Sequence, residues 1–212
     1  ADPYRWLERD PRSDAKVGAW VRAQDAHARR YLAALPSRDA FRKRVSVLLD
    51  HERLTAPQKA GQRYFFTRNT GLDQQPVLIV REGANGKERV LADPNTWSKD
   101  GSQAIAEWIA SHDGTRVALA TQDSGTDWRT IRVLDAATGK FLDDRLDRVR
   151  FSSIAWMKDG SGFFYSRFPD AGAAAGERMG HAVYFHALGT PQELVDETGR
   201  IAWSARYRVF GA

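Results

Sequence analysis

Two stretches of this 212-residue chain repeat one another. Ala106-Glu107-Trp108 followed by His112-Asp113-Gly114-Thr115-Arg116-Val117-Ala118-Leu119 is echoed by Ile154-Ala155-Trp156 followed by Lys158-Asp159-Gly160-Ser161-Gly162-Phe163-Phe164-Tyr165. Asp-Gly between alternating apolar runs marks a hairpin, because glycine accepts the positive φ that a tight turn demands. Gly61 opens a third unit, so that Gly61, Gly114 and Gly160 stand 53 and 46 residues apart. The runs beside these turns are rich in β-branched and aromatic residues and read as strands: Arg63 to Thr67, Val77 to Arg81, Arg116 to Thr121, Thr130 to Asp135, Gly162 to Arg167 and Val183 to Leu188. A period of about 45 residues built from antiparallel strands is the signature of a β-propeller blade; a β-sandwich with similar hairpins is the alternative. Residues 58 to 196 hold about three blades, whereas propellers close with about four to eight. Either the chain belongs to a longer protein or it assembles with copies of itself.

Ahead of the strands the spacing is helical. Val17, Trp20, Val21, Tyr31 and Leu32 recur at three- and four-residue steps; Asp10 or Ser13 can cap the start, and Pro36 stops the helix. Ser37 can cap a second helix in which Phe41, Val45, Leu48 and Leu49 share a face. Residues 1 to 56 are therefore expected to form a helical segment built on a hairpin, too small to supply a core. The expected fold class is mainly β with an N-terminal α segment, a partial β-propeller over residues 57 to 196, and an unassigned tail over 197 to 212. Trp203, Tyr207, Val209 and Phe210 in that tail look like the start of a strand without partners.

The chemistry is sparse. Cysteine is absent, which excludes disulfide scaffolds, thiolate zinc sites and cysteine nucleophiles and leaves cytoplasm and periplasm both open. No apolar run approaches the roughly 18 residues of a transmembrane helix, so a soluble chain is expected. The net charge of +5 comes from 32 basic and 27 acidic residues that alternate in sign, as in Arg145, Asp147 and Arg148, and reads as a solvated surface with no nucleic-acid or membrane partner. Arg63-Tyr64-Phe65-Phe66-Thr67-Arg68 imitates a base-stacking platform, but consecutive aromatics in a strand more often pack in a core. Ser161 lies between Gly160 and Gly162 and suits a hairpin, not a nucleophile elbow; Ser124 sits in another polar loop. The histidines, His27, His51, His112, His181 and His186, form no metal-binding pattern, and no phosphate-cradling glycine loop exists. Neither metal nor cofactor is expected, and the residues alone reveal no catalytic constellation.

Six stretches nevertheless resemble the prolyl oligopeptidase family of serine peptidases. They are Asp2-Pro3-Tyr4-Arg5-Trp6-Leu7-Glu8; Tyr64 to Val80, with Asn69-Thr70-Gly71-Leu72; Leu91-Ala92-Asp93-Pro94-Asn95; Ser124-Gly125-Thr126-Asp127-Trp128-Arg129-Thr130-Ile131; Val149-Arg150-Phe151-Ser152-Ser153-Ile154-Ala155-Trp156; and Val183 to Thr190. The resemblance covers Asp2 to about Asp196, in order, and fades beyond. It implies the first three blades of a seven-bladed propeller, set in the family against an α/β-hydrolase domain that carries the catalytic Ser, Asp and His. It further implies cleavage of short peptides after proline, with the propeller restricting entry to the cavity. No catalytic residue is expected in this chain, and alone it should be inactive. The resemblance carries two substrate-binding positions over: Phe151, lining the cavity near the residues that precede the proline, and Asp127, beside a substrate-binding arginine of the hydrolase domain. The expected partners are proline-containing oligopeptides and that hydrolase domain. A non-catalytic propeller-like module closing by self-association is the alternative, and an RNA-binding β protein a weaker third.

Overall fold

The computed structural model describes residues 2–168 and 182–188, and the backbone of 193–195 and 201–204. The chain divides into two compact units, Ala1–Asp50 and His51–Ala212.

The first unit holds a short 3-10 turn, Arg5–Glu8, and two helices, α1 (Ala15–Ala33) and α2 (Arg38–Leu49). Neither Asp10 nor Ser13 caps α1. Asp14 does, its carboxylate accepting from the backbone N–H groups of Lys16 and Val17, so that two of the first turn's orphan donors are satisfied by one side chain. Asp10 instead pairs with Arg12 at 2.9 Å. Ser37 stands at the N-cap of α2, but its side chain makes no capping hydrogen bond. Only Val17 and Gly18 of α1 are buried and no residue of α2 is. Trp6 meets Trp20 edge to face at 6.2 Å, and Lys16 Nζ lies 4.5 Å from the Trp6 ring centre.

The second unit is antiparallel throughout. Strands β1 (Arg53–Leu54) and β2 (Gln58–Ala60) both pair with β3 (Arg63–Asn69), which continues through β4 (Val77–Glu82) to β5 (Glu88–Ala92). The next four strands run in simple order: β6 (Gln103–Ala110), β7 (Arg116–Asp123), β8 (Arg129–Asp135) and β9 (Phe141–Val149). A third group, β10 (Ala155–Trp156), β11 (Gly162–Arg167) and β12 (Ala182–Ala187), joins them through the pairing of Arg167 with Val149. These are three successive blades. Strand β14 (Ile201–Ser204) does find a partner, pairing antiparallel with β13 (Glu193–Val195), which corrects the reading of the tail as an unpaired strand.

Strand β7 decides between propeller and sandwich. Val117, Ala118, Leu119 and Ala120 are all inaccessible to solvent. Because side chains alternate across a strand, Val117 and Leu119 face one way and join Phe65, Leu78, Val80 and Leu91 of the first blade. Ala118 and Ala120 face the other way, with Ile131 and Val133, and join Trp156, Phe163 and Tyr165 of the third. The middle sheet thus has a core on each flank, which a two-layer sandwich cannot provide.

The repeated turns knit the blades together. Gly61, Gly114 and Gly160 have φ of 56°, 71° and 73°. Gly61 N–H donates to the carbonyl of His112 at 3.0 Å, and Arg63 Nη1 donates to the carbonyl of Gly114 at 2.9 Å. A Cβ on Gly61 would stand 2.0 Å from the Asp113 carbonyl oxygen, and one on Gly114 2.2 Å from that of Ala60. In both repeats the tryptophan turns back onto the preceding blade: Trp108 packs against Phe65 at 6.4 Å, and Trp156 Nε1 donates to the Ile109 carbonyl at 2.9 Å.

Candidate functional site

The loop joining β7 to β8 turns at Ser124 and Gly125, with φ of 52° and 69°. It carries Asp127 and Trp128. The loop leaving β9 carries Arg150 and Phe151, and here the backbone is under constraint: Arg148 has φ 63° and Phe151 φ 51°. The left-handed region costs a non-glycine residue about 1–2 kcal/mol and persists only where the surroundings enforce it. Hydrogen bonds on both sides do so. The Phe168 N–H donates to the Arg148 carbonyl at 3.1 Å, and the buried Ser152 hydroxyl accepts from the Ser166 N–H at 2.8 Å.

The result is an aromatic ring presented to solvent. Phe151 is 68% exposed, so this strained residue is not part of the core. Asp127 is exposed as well and caps no turn in the loop; its Oδ2 accepts from Arg150 Nη2 at 3.0 Å. The Arg150 guanidinium lies 4.6 Å from the Phe151 ring centre and 5.5 Å from that of Trp128, and Trp128 rests edge to face on Phe168 at 5.5 Å. Arg150 therefore ties together Asp127 and Phe151, the two residues singled out from the sequence. It was quoted in the sequence only as a neighbour of Phe151. No local signal could have marked it, because its ion pair spans 23 residues of chain. An exposed ion pair of this kind is worth roughly 1 kcal/mol or less, too little for fold stability to account for a strained, exposed phenylalanine beside it.

The remaining candidates have structural settings. Ser161 donates through both its backbone N–H and its hydroxyl to Asp159 Oδ1, at 3.0 and 2.7 Å, and holds its turn. Thr115 likewise donates its backbone N–H and its hydroxyl to the Asp113 carboxylate. Burial pushes the Asp113 carboxyl up, but hydrogen bonds from Ser111 and Thr115 outweigh it and hold the group below the ordinary carboxylate range. Phe65 and Phe66 are 0% and 3% exposed and cannot serve as a stacking platform. His186 is buried with Nε2 2.7 Å from Asp144 Oδ1, while His181 lies outside the described residues. Among the described residues no cluster of three or more potential metal ligands occurs, and no helix is long and apolar enough to cross a membrane.

The chain as a whole is similar to known proteins. The family model described as "Prolyl oligopeptidase, N-terminal beta-propeller domain" matches residues 1–198. A prolyl endopeptidase of Elizabethkingia meningoseptica is 42% identical over 195 residues, 91% of this chain and 27% of its own length. A prolyl oligopeptidase A of Galerina marginata is 32% identical, over 90% of this chain and 29% of its own. A solved prolyl endopeptidase, studied for the role of inter-domain dynamics in catalysis and specificity, superposes with a TM-score of 0.82 at 35% identity, over 90% of this chain and 28% of its own. Prolyl oligopeptidase B from Galerina marginata bound to a 25mer macrocyclization substrate gives 0.75 at 27% identity, over 89% and 29%. The chain spans less than a third of these relatives. With three propeller blades in sequence and a family match over nearly its whole length, the chain belongs to the prolyl oligopeptidase family, as part of its N-terminal β-propeller domain.

Proposed function

We propose that this chain is the N-terminal helical segment, residues 1–56, and about the first three propeller blades, residues 57–196, of a serine peptidase that cleaves short peptides after proline, with residues 197–212 left unassigned. The hydrolase domain of the full protein supplies the serine nucleophile, the histidine base and most of the oxyanion hole. This chain supplies part of the wall that admits and lines. Phe151 offers an apolar ring to the peptide side chains preceding the proline, and Asp127 orients a guanidinium of the hydrolase domain by charge-assisted hydrogen bonds.

The observation carrying the reading is the enforced exposure of Phe151: an aromatic ring held in a costly backbone conformation and tied through Arg150 to Asp127. In this mechanism the ring desolvates the substrate and Arg150, held by Asp127, braces the ring; neither takes part in proton or acyl transfer. Such binding groups act on KM more than on kcat. In the enzyme extended through its hydrolase domain, Phe151→Ala is expected to raise KM for a proline-containing oligopeptide about tenfold, equivalent to roughly 1.4 kcal/mol, with kcat little changed. An unaltered KM would remove Phe151 from the substrate wall.

A further inference from the structure

A half-open cleft of about 720 Å³ lies on the flank of the middle blade. Arg132 of β8 and Arg145 of β9 both line it, and they are direct partners in the strand register. Like charges opposite one another in a sheet are unfavourable, so this pair calls for an anion. Arg145 has one. Its Nε lies 3.0 Å from Asp147 Oδ2, while Asp147 Oδ1 accepts from the Thr130 hydroxyl at 2.7 Å. Although burial acts to raise it, the Asp147 carboxyl is held below its ordinary range by Thr130 and Arg145, so it stays ionised and committed to Arg145. Arg132 has none: among the described residues no carboxylate lies within ion-pairing distance of it. Its guanidinium lies over the Phe141 ring instead, 3.7 Å from the ring centre, and Phe141 leans on Trp97 at 6.2 Å.

The charge balance sets the ligand's class. Arg129, Arg132, Arg145 and Arg148 meet Asp123 and Asp147 in the cleft, and Glu107 faces Arg129 at 3.5 Å from beside it. Glu107 and Asp147 are committed to Arg129 and Arg145, and Arg132 is left with no carboxylate among the described residues. A polyphosphate would be repelled by Asp123 and Asp147, whereas one carboxylate suits one surplus guanidinium, which offers it two parallel N–H donors. The floor formed by Trp97 and Phe141, with Trp128 at the rim, suits an apolar or aromatic body. We propose that this cleft binds a carboxylate attached to an apolar or aromatic group, with Arg132 as the anchoring residue. The proposal rests on the cleft alone and stands or falls apart from the peptidase reading.

Tryptophan emission of the purified chain reports occupancy through Trp97 and Trp128. N-acetylphenylalanine is expected to bind roughly tenfold more tightly than its carboxamide, the difference being one charge-assisted contact. The tripeptide Ala-Ala-Phe with a free C-terminus separates sources: a peptide end binds as well as the small acid if the cleft is open to chains, and more weakly if it takes small acids only. Arg132→Gln should reduce the acid to the level of the amide, and Arg132→Lys should restore part of the difference. Asp147→Asn, which frees Arg145, should tighten the acid several-fold and keeps the test decisive if Arg132→Gln does not fold. Equal binding of acid and amide, no binding of either, tighter binding of tripolyphosphate than of the acid, or an acid preference that survives Arg132→Gln would each overturn the proposal.

Discussion

The helical unit and the blades carry similar kinds of apolar side chain and put them to opposite use. In α2, Phe41, Val45 and Leu48 are 70%, 48% and 54% exposed; in β7, four consecutive residues are sealed on both faces. The helices gain regularity from local hydrogen bonds and a carboxylate cap, whereas each blade gains stability from its neighbours. The lesson is that a blade's flank is a core only when another blade covers it, and that an amphipathic helix announces a surface without providing one.

Truncations should separate the two units most strongly. Phe65→Ala, at a fully buried site beside Trp108, is expected to cost about 3–5 kcal/mol in urea unfolding, whereas Phe41→Ala on α2 should fall within about 0.5 kcal/mol of the parent. Similar losses at both positions would break the contrast.

Glycine substitutions give the next largest effect and sharpen it within the sheets. Gly61 and Gly83 share a positive φ, of 56° and 69°, but a Cβ on Gly83 meets nothing within 4 Å. Gly83→Ala should cost only the backbone penalty of about 1–2 kcal/mol. Gly61→Ala should cost more, because it also drives a methyl into the Asp113 carbonyl and separates two blades. Equal costs would mean that the turns do not bind the blades together.

Acid titration should yield a smaller effect. Asp113, Asp135 and Asp147 all lie below the ordinary carboxylate range in the folded chain. For Asp135 the chief cause is the hydrogen bond from the Thr138 backbone, seconded by the Thr138 hydroxyl; for the other two, hydrogen bonds overcome burial. A depressed folded-state pKa adds stability above the unfolded value, near pH 4, that is lost as pH falls through the folded value. Thermal melts of the blades should therefore hold steady above about pH 5 and decline below about pH 4, and Asp135→Asn should flatten that decline. In the helical unit, Asp14→Ala should lower the helical circular dichroism while Ser37→Ala leaves it unchanged, since only Asp14 caps.

Six strands were legible in the sequence, and they are the second and third strands of each blade. Most of them are well buried, β7 on both flanks in the unbroken run Val117 to Ala120, while β12 is the more open exception. The inner and outer strands escaped notice for a physical reason. β9 reads Phe141-Leu142-Asp143-Asp144-Arg145-Leu146-Asp147-Arg148-Val149, in which Asp143, Arg145 and Asp147 face water on alternate positions. Asp144, between Leu142 and Leu146, points inward to His186. An outer strand dressed in charge discourages edge pairing and by the same token hides its periodicity. β2 and β10 are two or three residues long and carry no period at all.

The candidate site was legible only in part. Phe151 and Asp127 came from likeness to a family, not from spacing. Their linkage through Arg150, the strain at Arg148 and Phe151, and the opposed Arg132 and Arg145 depend on strand register, which no window of sequence displays.

The account holds that these blades wall a reaction chamber whose catalytic groups lie on other polypeptide. Turnover of a proline-containing chromogenic peptide tests that most directly, using the 212-residue chain and the same chain extended through the codons that follow. The account predicts no turnover above buffer for the first, and for the extended protein cleavage after proline that a serine-directed reagent abolishes. Reagent-sensitive cleavage by the short chain, or none by an extended protein carrying a Gly-x-Ser-x-Gly elbow, would contradict it.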